Sequence, residues 1–285
     1  MQGKTCLVTG ATSGIGRATA EALARAGATV LVVARDEGRG QATAAEIRRA
    51  APQGAVEVLV ADLAVQEDVR RLAAQVIERH DRLDVLVNNA GGTRSDRKLT
   101  PDGLEVTFAT NHLAPFLLTN LLLDLLRRSA PARIVGVSSE LHRRVREIPW
   151  DNLQGEQSYS GPGQYGLTKL MNVLFTNELA RRLEGSGVTA NCLSPGFTRT
   201  GLGRDMKGGF GLFLKLAGPF MISPEKGARL SVHLATAPEV AEVTGAYFRG
   251  LQPKESSPLS HDEAAQKRLW ELSAKLTSPV GEPAG

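Results

Sequence analysis

Tyr165-Gly166-Leu167-Thr168-Lys169 sets a phenol and an ammonium four positions apart. On a helix, residues i and i+4 share one face. Near a bound cationic cofactor ring, a lysine held beside a phenol favours the phenolate, so Tyr165 would become a usable general acid/base near neutrality. Such a pair also arises by chance, and its surroundings must decide. Ser138-Ser139 closes an apolar run. One of the two hydroxyls could hydrogen-bond a substrate carbonyl and stabilise its developing oxyanion; plain turn chemistry is the alternative.

A second group of residues suits a dinucleotide. Thr9-Gly10-Ala11-Thr12-Ser13-Gly14-Ile15-Gly16-Arg17 runs from a strand through glycines into a helix. There Gly10, Ser13, Gly14, Ile15 and Gly16 would let the chain turn tightly and approach a pyrophosphate with free N–H groups. The spacing is G-x-x-x-G-x-G, not G-x-G-x-x-G, so the place of this turn, after the first strand, carries the reading. After the second strand comes Arg35, whose guanidinium suits a 2′-phosphate, with Arg17 as a possible reinforcement. Asp36 argues the other way, toward a ribose hydroxyl. The expectation is therefore NADP(H), with NAD(H) left open. Asp62-Leu63 and Asn88-Asn89-Ala90-Gly91 end further strands, where small groups let a flat cofactor lie on the backbone.

The elements that must position these residues alternate along the chain. Strands are expected at Thr5–Thr9, Thr29–Val33, Val56–Val60, Leu83–Val87, Arg133–Ser138, Val188–Leu193 and Gly245–Phe248. Helical patterns fall near 15–26, 38–50, 67–80, 102–128, 164–184, 225–236 and 261–276. Runs such as Thr29-Val30-Leu31-Val32-Val33 are apolar at consecutive positions, as when both faces of a parallel sheet are covered. The expected architecture is α/β: a single-domain Rossmann fold, a doubly wound seven-stranded parallel sheet with helices on both faces. That domain would span residues 1–276, with 277–285 a disordered Pro/Gly tail. Residues 199–224 are rich in both glycine and large apolar residues. They could form a lid that presents an apolar wall to the substrate, or simply the buried faces of two short helices.

Composition narrows the function. With 285 residues, 42% of them hydrophobic and 22% charged, the chain suits one sizeable globular domain and excludes general disorder and fibre. The net charge of +4 is small, and basic pairs such as Arg48-Arg49 and Arg181-Arg182 fall at helix ends, so no nucleic-acid partner is expected. Cys6 and Cys192 lie in apolar runs and read as reduced core residues of a cytoplasmic protein. Thr119, Asn120 and Asp124 interrupt the most apolar stretch, and neither signal peptide nor membrane anchor is expected. The five histidines have no ligand spacing, so no metal is expected.

In order along the chain, Thr9-Gly10-x-x-x-Gly14-x-Gly16, Asp62, Asn89-Ala90-Gly91, Asn111, Ser139, Tyr165-x-x-x-Lys169 and Pro195-Gly196 resemble the motifs of the short-chain dehydrogenase/reductases. The resemblance covers about residues 3–250. Asn111-His112-Leu113, the run Phe116 to Leu122 and Asn172-Val173-Leu174-Phe175-Thr176 are similar to the retinol-dehydrogenase-like branch, as is the lengthened segment 140–164. The resemblance implies that Tyr165 exchanges a proton with the carbonyl oxygen as hydride moves, while Ser139 holds that oxygen. Lys169 would also bind the nicotinamide ribose. Asp62 and Leu63 would flank the adenine, and Pro195, Gly196 and Thr198 the nicotinamide. Asn111 would hold a relay water through its main-chain carbonyl.

Residue 115, which should donate to that carbonyl in a regular helix, is proline. Pro115 either frees the carbonyl for water or shifts the backbone, and the helix should kink there. If residues 199–224 do form the apolar wall, the substrate is a small hydrophobic aldehyde, ketone or alcohol; the resemblance further implies a homodimer or homotetramer paired through helices 102–128 and 164–184. A cofactor-binding regulatory protein without turnover, and sugar-nucleotide dehydratase or epimerase chemistry, are the competing readings. The intact Ser139–Tyr165–Lys169 set speaks against the first, and the short chain against the second.

Overall fold

The computed structural model describes residues 1–196 and 222–278. Seven strands form one parallel sheet: β1 (Thr5–Val8), β2 (Thr29–Ala34), β3 (Ala55–Val60), β4 (Val85–Asn88), β5 (Ala132–Val137), β6 (Val188–Leu193) and β7 (Tyr247–Phe248). Their order is β3-β2-β1-β4-β5-β6-β7. The chain winds outward from β1 to β3, then restarts beside β1 with β4 and winds the other way. The carboxyl ends of β1 and β4 therefore border the crevice where such sheets bind ligands.

The consecutive apolar positions serve two faces. Cys6 and Val8 join Val30 and Val32 in a layer closed by α1 (Gly14–Arg25), α2 (Glu37–Ala50) and, beyond the sheet's middle, a helix at Pro224–Thr236. Leu7 and Leu31 point the opposite way, against α3 (Gln66–Arg79) and the helices that follow it. All six of these side chains on the β1–β2 pair are fully buried. Burial on both sides is what excludes a half-exposed antiparallel sheet.

The strand starts are tied by one buried carboxylate. Asp84 accepts from Lys4 Nζ at 2.8 Å, Arg82 Nε at 2.8 Å and the Thr5 N–H at 2.9 Å. Burial alone would raise its pKa, but these donors outweigh burial and hold it below the ordinary value. Because the folded-state pKa is lowered, the stabilisation is complete above the usual carboxylate range and fades as pH falls through the lowered pKa. Asp84→Asn is expected to cost about 2–3 kcal/mol in urea unfolding at neutral pH, and less in acid. An equal cost at both pH values would contradict this role.

The helical run expected over 102–128 begins later and is interrupted. Residues 100–104 close a turn, with the Gly103 N–H on the Thr100 carbonyl at 3.0 Å. Helix α4 then runs over 106–128 in pieces: Val106–Phe108, a π turn at Ala109–Leu113, Ala114–Leu121 and Leu123–Arg128. At the π turn the Ala114 N–H reaches back five residues, to the Ala109 carbonyl. The break expected from Pro115 is thus a widened turn immediately before it. Helix α5 spans Gly161–Arg182, starting earlier than expected because Ser160 caps it and Pro162 sits in its first turn.

The Pro224–Thr236 helix is α6, and α7 (Glu263–Thr277) closes the described chain. Helix α7 lies on α4 and α5. Its Trp270 ring sits 5.0 Å from Phe116 and 5.7 Å from Phe175, with Arg182 stacked over it at 4.2 Å. Ser273 Oγ meets His112 Nε2 at 2.8 Å on the same face. Part of the helix surface expected to pair between subunits therefore carries α7. Thr198 and nearly all of the expected lid, 199–224, fall outside the described residues.

Candidate active site

The glycine turn between β1 and α1 is built for close approach. A Cβ on Gly16 would lie 2.4 Å from the Gly10 carbonyl oxygen and 2.3 Å from Asn89 Nδ2, so only glycine fits there. Thr9 Oγ1 accepts from the N–H groups of Asn89 and Ala90, each at 3.0 Å, and so welds the ends of β1 and β4. Asn89 Nδ2 donates back to the Thr9 carbonyl at 2.8 Å. Helix α1 has no side-chain cap from Ser13 and no acid in its first turn, although Ile15 is buried behind it. Among the described residues no side chain takes its first N–H groups, and these with the positive dipole end fit the pyrophosphate of a dinucleotide.

At the end of β2, the carboxylate of Asp36 caps α2 by accepting from the Arg39 N–H at 2.8 Å. Arg17 is engaged by Glu46 at 2.7 Å. Arg35 is exposed and has no ion-pair or hydrogen-bond partner among the described residues. Of the three residues weighed for the ribose, two thus have structural partners and the guanidinium of Arg35 remains available. After β3, Asp62 turns its carboxylate onto the Ala64 N–H at 3.0 Å, and Leu63 beside it is half-buried.

Tyr165 and Lys169 lie one turn apart on α5, with Lys169 Nζ 5.4 Å from the centre of the phenol ring. Nζ donates to the Val137 carbonyl at 2.8 Å, which pins the side chain across the end of β5. Burial lowers the Lys169 pKa to about 8. Burial also raises that of Tyr165 to about 12, against a smaller opposing pull from the Ser139 hydroxyl. The protein by itself therefore keeps the phenol protonated. Burial dominates with the lysine turned to Val137, whereas the lowering expected from Lys169 was for a phenol beside a bound cationic nicotinamide.

The structure separates the two serines. Ser138 is buried and its Oγ donates to the Lys169 carbonyl at 2.8 Å, bracing α5. Ser139 faces the phenol and caps the following 3₁₀ turn, Glu140–Arg144, through the Leu141 N–H at 3.3 Å. Only the second hydroxyl faces the Tyr165 phenol.

Asn111 sits in the π turn of α4 and is fully buried. Its carboxamide clasps Gly92 in both directions, Oδ1 accepting the N–H at 2.8 Å and Nδ2 donating to the carbonyl at 2.9 Å. Nδ2 also donates to Thr168 Oγ1 at 3.0 Å, next to Lys169 in sequence. A Cβ on Gly91 would meet Asn111 Oδ1 at 3.1 Å and Lys169 Nζ at 3.3 Å, so the Asn89-Ala90-Gly91 turn lies against both. Pro195 and Gly196 follow β6 on the same edge of the sheet.

Three contributors were not foreseen. Gly166 lets the turn that follows Ser139 lie on α5, because a Cβ there would be 3.1 Å from the Leu141 carbonyl oxygen. Glu105 is a fully buried carboxylate that accepts from the N–H groups of Thr107 (2.9 Å) and Phe108 (2.7 Å) and from Gln164 Nε2 (3.0 Å). It thereby ties the start of α4 to the residue before Tyr165. His142 is buried behind Ser139. The sequence signal for Glu105 was an acid at the head of a helical run, which the earlier expected start placed inside the helix. Among the described residues, no group of histidine, cysteine or acidic side chains is placed to hold a metal ion.

This arrangement, a glycine cradle, a strand-end serine and a Tyr–Lys pair at one sheet edge, can be compared with known proteins. Residues 4–208 match the family model of the short chain dehydrogenases. The chain belongs to that family. This short-chain dehydrogenase is 44% identical to human retinol dehydrogenase 14 over 96% of its own length and 86% of the relative's, which makes it retinol-dehydrogenase-like. An uncharacterized protein from Mycobacterium paratuberculosis superposes with a TM-score of 0.78 at 35% identity, covering 97% of this chain and 94% of that one. The active-site complex of RhlG with NADP from Pseudomonas aeruginosa gives 0.69 at 30% identity, over 87% and 94% of the two chains. The enzyme is accordingly an NAD(P)-dependent dehydrogenase acting on CH–OH and C=O groups.

Proposed function

We propose that this enzyme transfers hydride between NADP(H) and a small hydrophobic aldehyde, ketone or alcohol, with Tyr165 as general acid/base. The convergence of Tyr165, Lys169 and Ser139 on one point at the end of β5 carries the reading. The nicotinamide, when bound, supplies or accepts the hydride. For carbonyl reduction, the Ser139 hydroxyl donates a hydrogen bond to the substrate oxygen and Tyr165 Oη delivers the proton that turns it into a hydroxyl. For alcohol oxidation the same proton returns to the phenolate. Lys169 holds positive charge beside the phenol and would bind the nicotinamide ribose, and Asn111 keeps the Gly91–Gly92 turn against it.

The preference for NADP(H) over NAD(H) is supported by Arg35, which has no partner among the described residues, while Asp36 is occupied as a helix cap. Gly10, Ser13, Gly14, Ile15 and Gly16 would hold the pyrophosphate, Asp62 and Leu63 the adenine, and Asn89, Ala90, Gly91, Pro195, Gly196 and Thr198 the nicotinamide side. An apolar substrate agrees with the likeness to retinol dehydrogenase 14 and with the apolar composition of 199–224. A cytoplasmic location agrees with two buried, unbridged cysteines. No helix among the described residues is long and apolar enough to cross a membrane. A homodimer or homotetramer would have to use surface that α7 leaves uncovered.

NADPH oxidation with a panel of apolar aldehydes is the test. Turnover is expected, and Arg35→Ala should raise KM for NADPH roughly ten- to a hundredfold, the loss of one charge-assisted contact, while leaving KM for NADH unchanged. Equal coenzyme affinities that Arg35→Ala does not alter would defeat the coenzyme preference. Absence of turnover with every aldehyde, despite bound coenzyme, would favour a regulatory protein.

A further inference from the structure

His142 lies three residues after Ser139, in the 3₁₀ turn that Ser139 caps, and its ring is fully buried. Nδ1 stands 2.7 Å from the Ser139 carbonyl oxygen, which also receives the His142 backbone N–H at 3.0 Å. Nε2 receives the Ser257 N–H at 3.1 Å. An amide N–H can only donate, so Nε2 is bare and the ring proton resides on Nδ1, aimed at Ser139. The ring also packs on Tyr247, 4.9 Å away, whose hydroxyl donates to Glu140.

The far end of this contact is anchored as well. Ser260 Oγ donates to the Ser257 carbonyl at 2.5 Å, and the Ser260 carbonyl accepts from Asn177 Nδ2 at 2.9 Å and Gln266 Nε2 at 2.7 Å. Asn177 is on α5, the helix that carries Tyr165. A continuous brace therefore leaves α5 at Asn177, passes through Ser260, Ser257 and His142, and returns to α5 where Ser139 faces Tyr165. Burial lowers the His142 pKa, so the ring keeps its acceptor nitrogen bare at neutral pH.

We propose that His142 is a positioning residue: by bridging the Ser139 carbonyl and the Ser257 amide, it fixes the Ser139 hydroxyl against Tyr165 for the reacting oxygen. The proposal rests on the reading of Ser139 as the group that holds that oxygen. His142→Leu removes both bonds at similar bulk. His142→Asn can place an amide N–H near the position of Nδ1 and so restore the bond to Ser139 alone.

The experiment compares steady-state kinetics of His142→Leu, His142→Asn, Ser139→Ala and the double variant Ser139→Ala/His142→Leu, with thermal melting of each and ¹⁵N NMR of the histidines in the native protein. His142→Leu should lower kcat about ten- to a hundredfold, a fraction of a full oxyanion-donor loss, with KM for coenzyme unchanged. His142→Asn should recover kcat to within about threefold of native. On the Ser139→Ala background, His142→Leu should cost less than about twofold further. A full additional loss there, equal kcat for the Leu and Asn variants, or an NMR tautomer with the proton on Nε2 would overturn the proposal. Native kcat in Ser139→Ala would instead overturn the reading of Ser139 itself.

Discussion

Tyr165→Phe is expected to lower kcat for carbonyl reduction by about 10²–10⁴-fold, the range for loss of a positioned general acid. The ring is buried and packed on α5, so its outline survives the change and the fold should too. Only the hydroxyl facing Ser139 is lost. Coenzyme affinity, measured by NADPH fluorescence titration, should stay within a few-fold of native, because the glycine turn and Arg35 are untouched. Near-native turnover in this variant would show that the proton comes from elsewhere.

Lys169→Met should be comparably damaging but should differ in kind. Lys169 is buried, pinned to Val137 and adjacent to the phenol ring, so its loss removes the local positive charge and a contact available to the ribose. A fall in kcat of about 10²–10⁴-fold should come with a raised KM for coenzyme, unlike Tyr165→Phe. The pH dependence follows from the two titrations. With Tyr165 pushed up to about 12, the phenol is protonated throughout the neutral range, and reduction should be level with pH there. Above the lysine's value of about 8 the ammonium is lost, and reduction should decline. Oxidation needs the phenolate, so it should instead climb with pH through the neutral range. Reduction that kept rising above pH 9 in the native enzyme would reverse this sign and remove Lys169 from the mechanism (pH 9 being roughly a unit past that value).

The sheet was legible because its strands are buried on both faces: a run such as Thr29 to Val33 leaves few alternatives once helical patterns separate it from the next. All seven strands stand within two residues of the sequence-based expectation at their starts. The site was legible where a residue's chemistry is local, as in Tyr165 and Lys169 on one helical face or the glycines after β1. Tertiary partners were not legible. Nothing in Ser138-Ser139 says which hydroxyl braces Lys169, a choice made by the pairing of β5 with α5. Likewise the burial that raises the Tyr165 pKa comes from elements distant in sequence. The start of α4 was misjudged because Pro101-Asp102 mimics a helix start, while the true cap, Glu105, acts from a buried position. Helix α7 was expected from its helical pattern, but not that it would settle on α4 and α5, since Trp270 could have met several apolar faces.

A crystal structure of the ternary complex with NADP⁺ and an unreactive carbonyl analogue tests the site most directly. The carbonyl oxygen is expected within about 3 Å of both Tyr165 Oη and Ser139 Oγ, with Lys169 Nζ on the nicotinamide ribose. A nicotinamide ring bound away from Tyr165, or a substrate oxygen that reaches neither hydroxyl, would contradict the assignment.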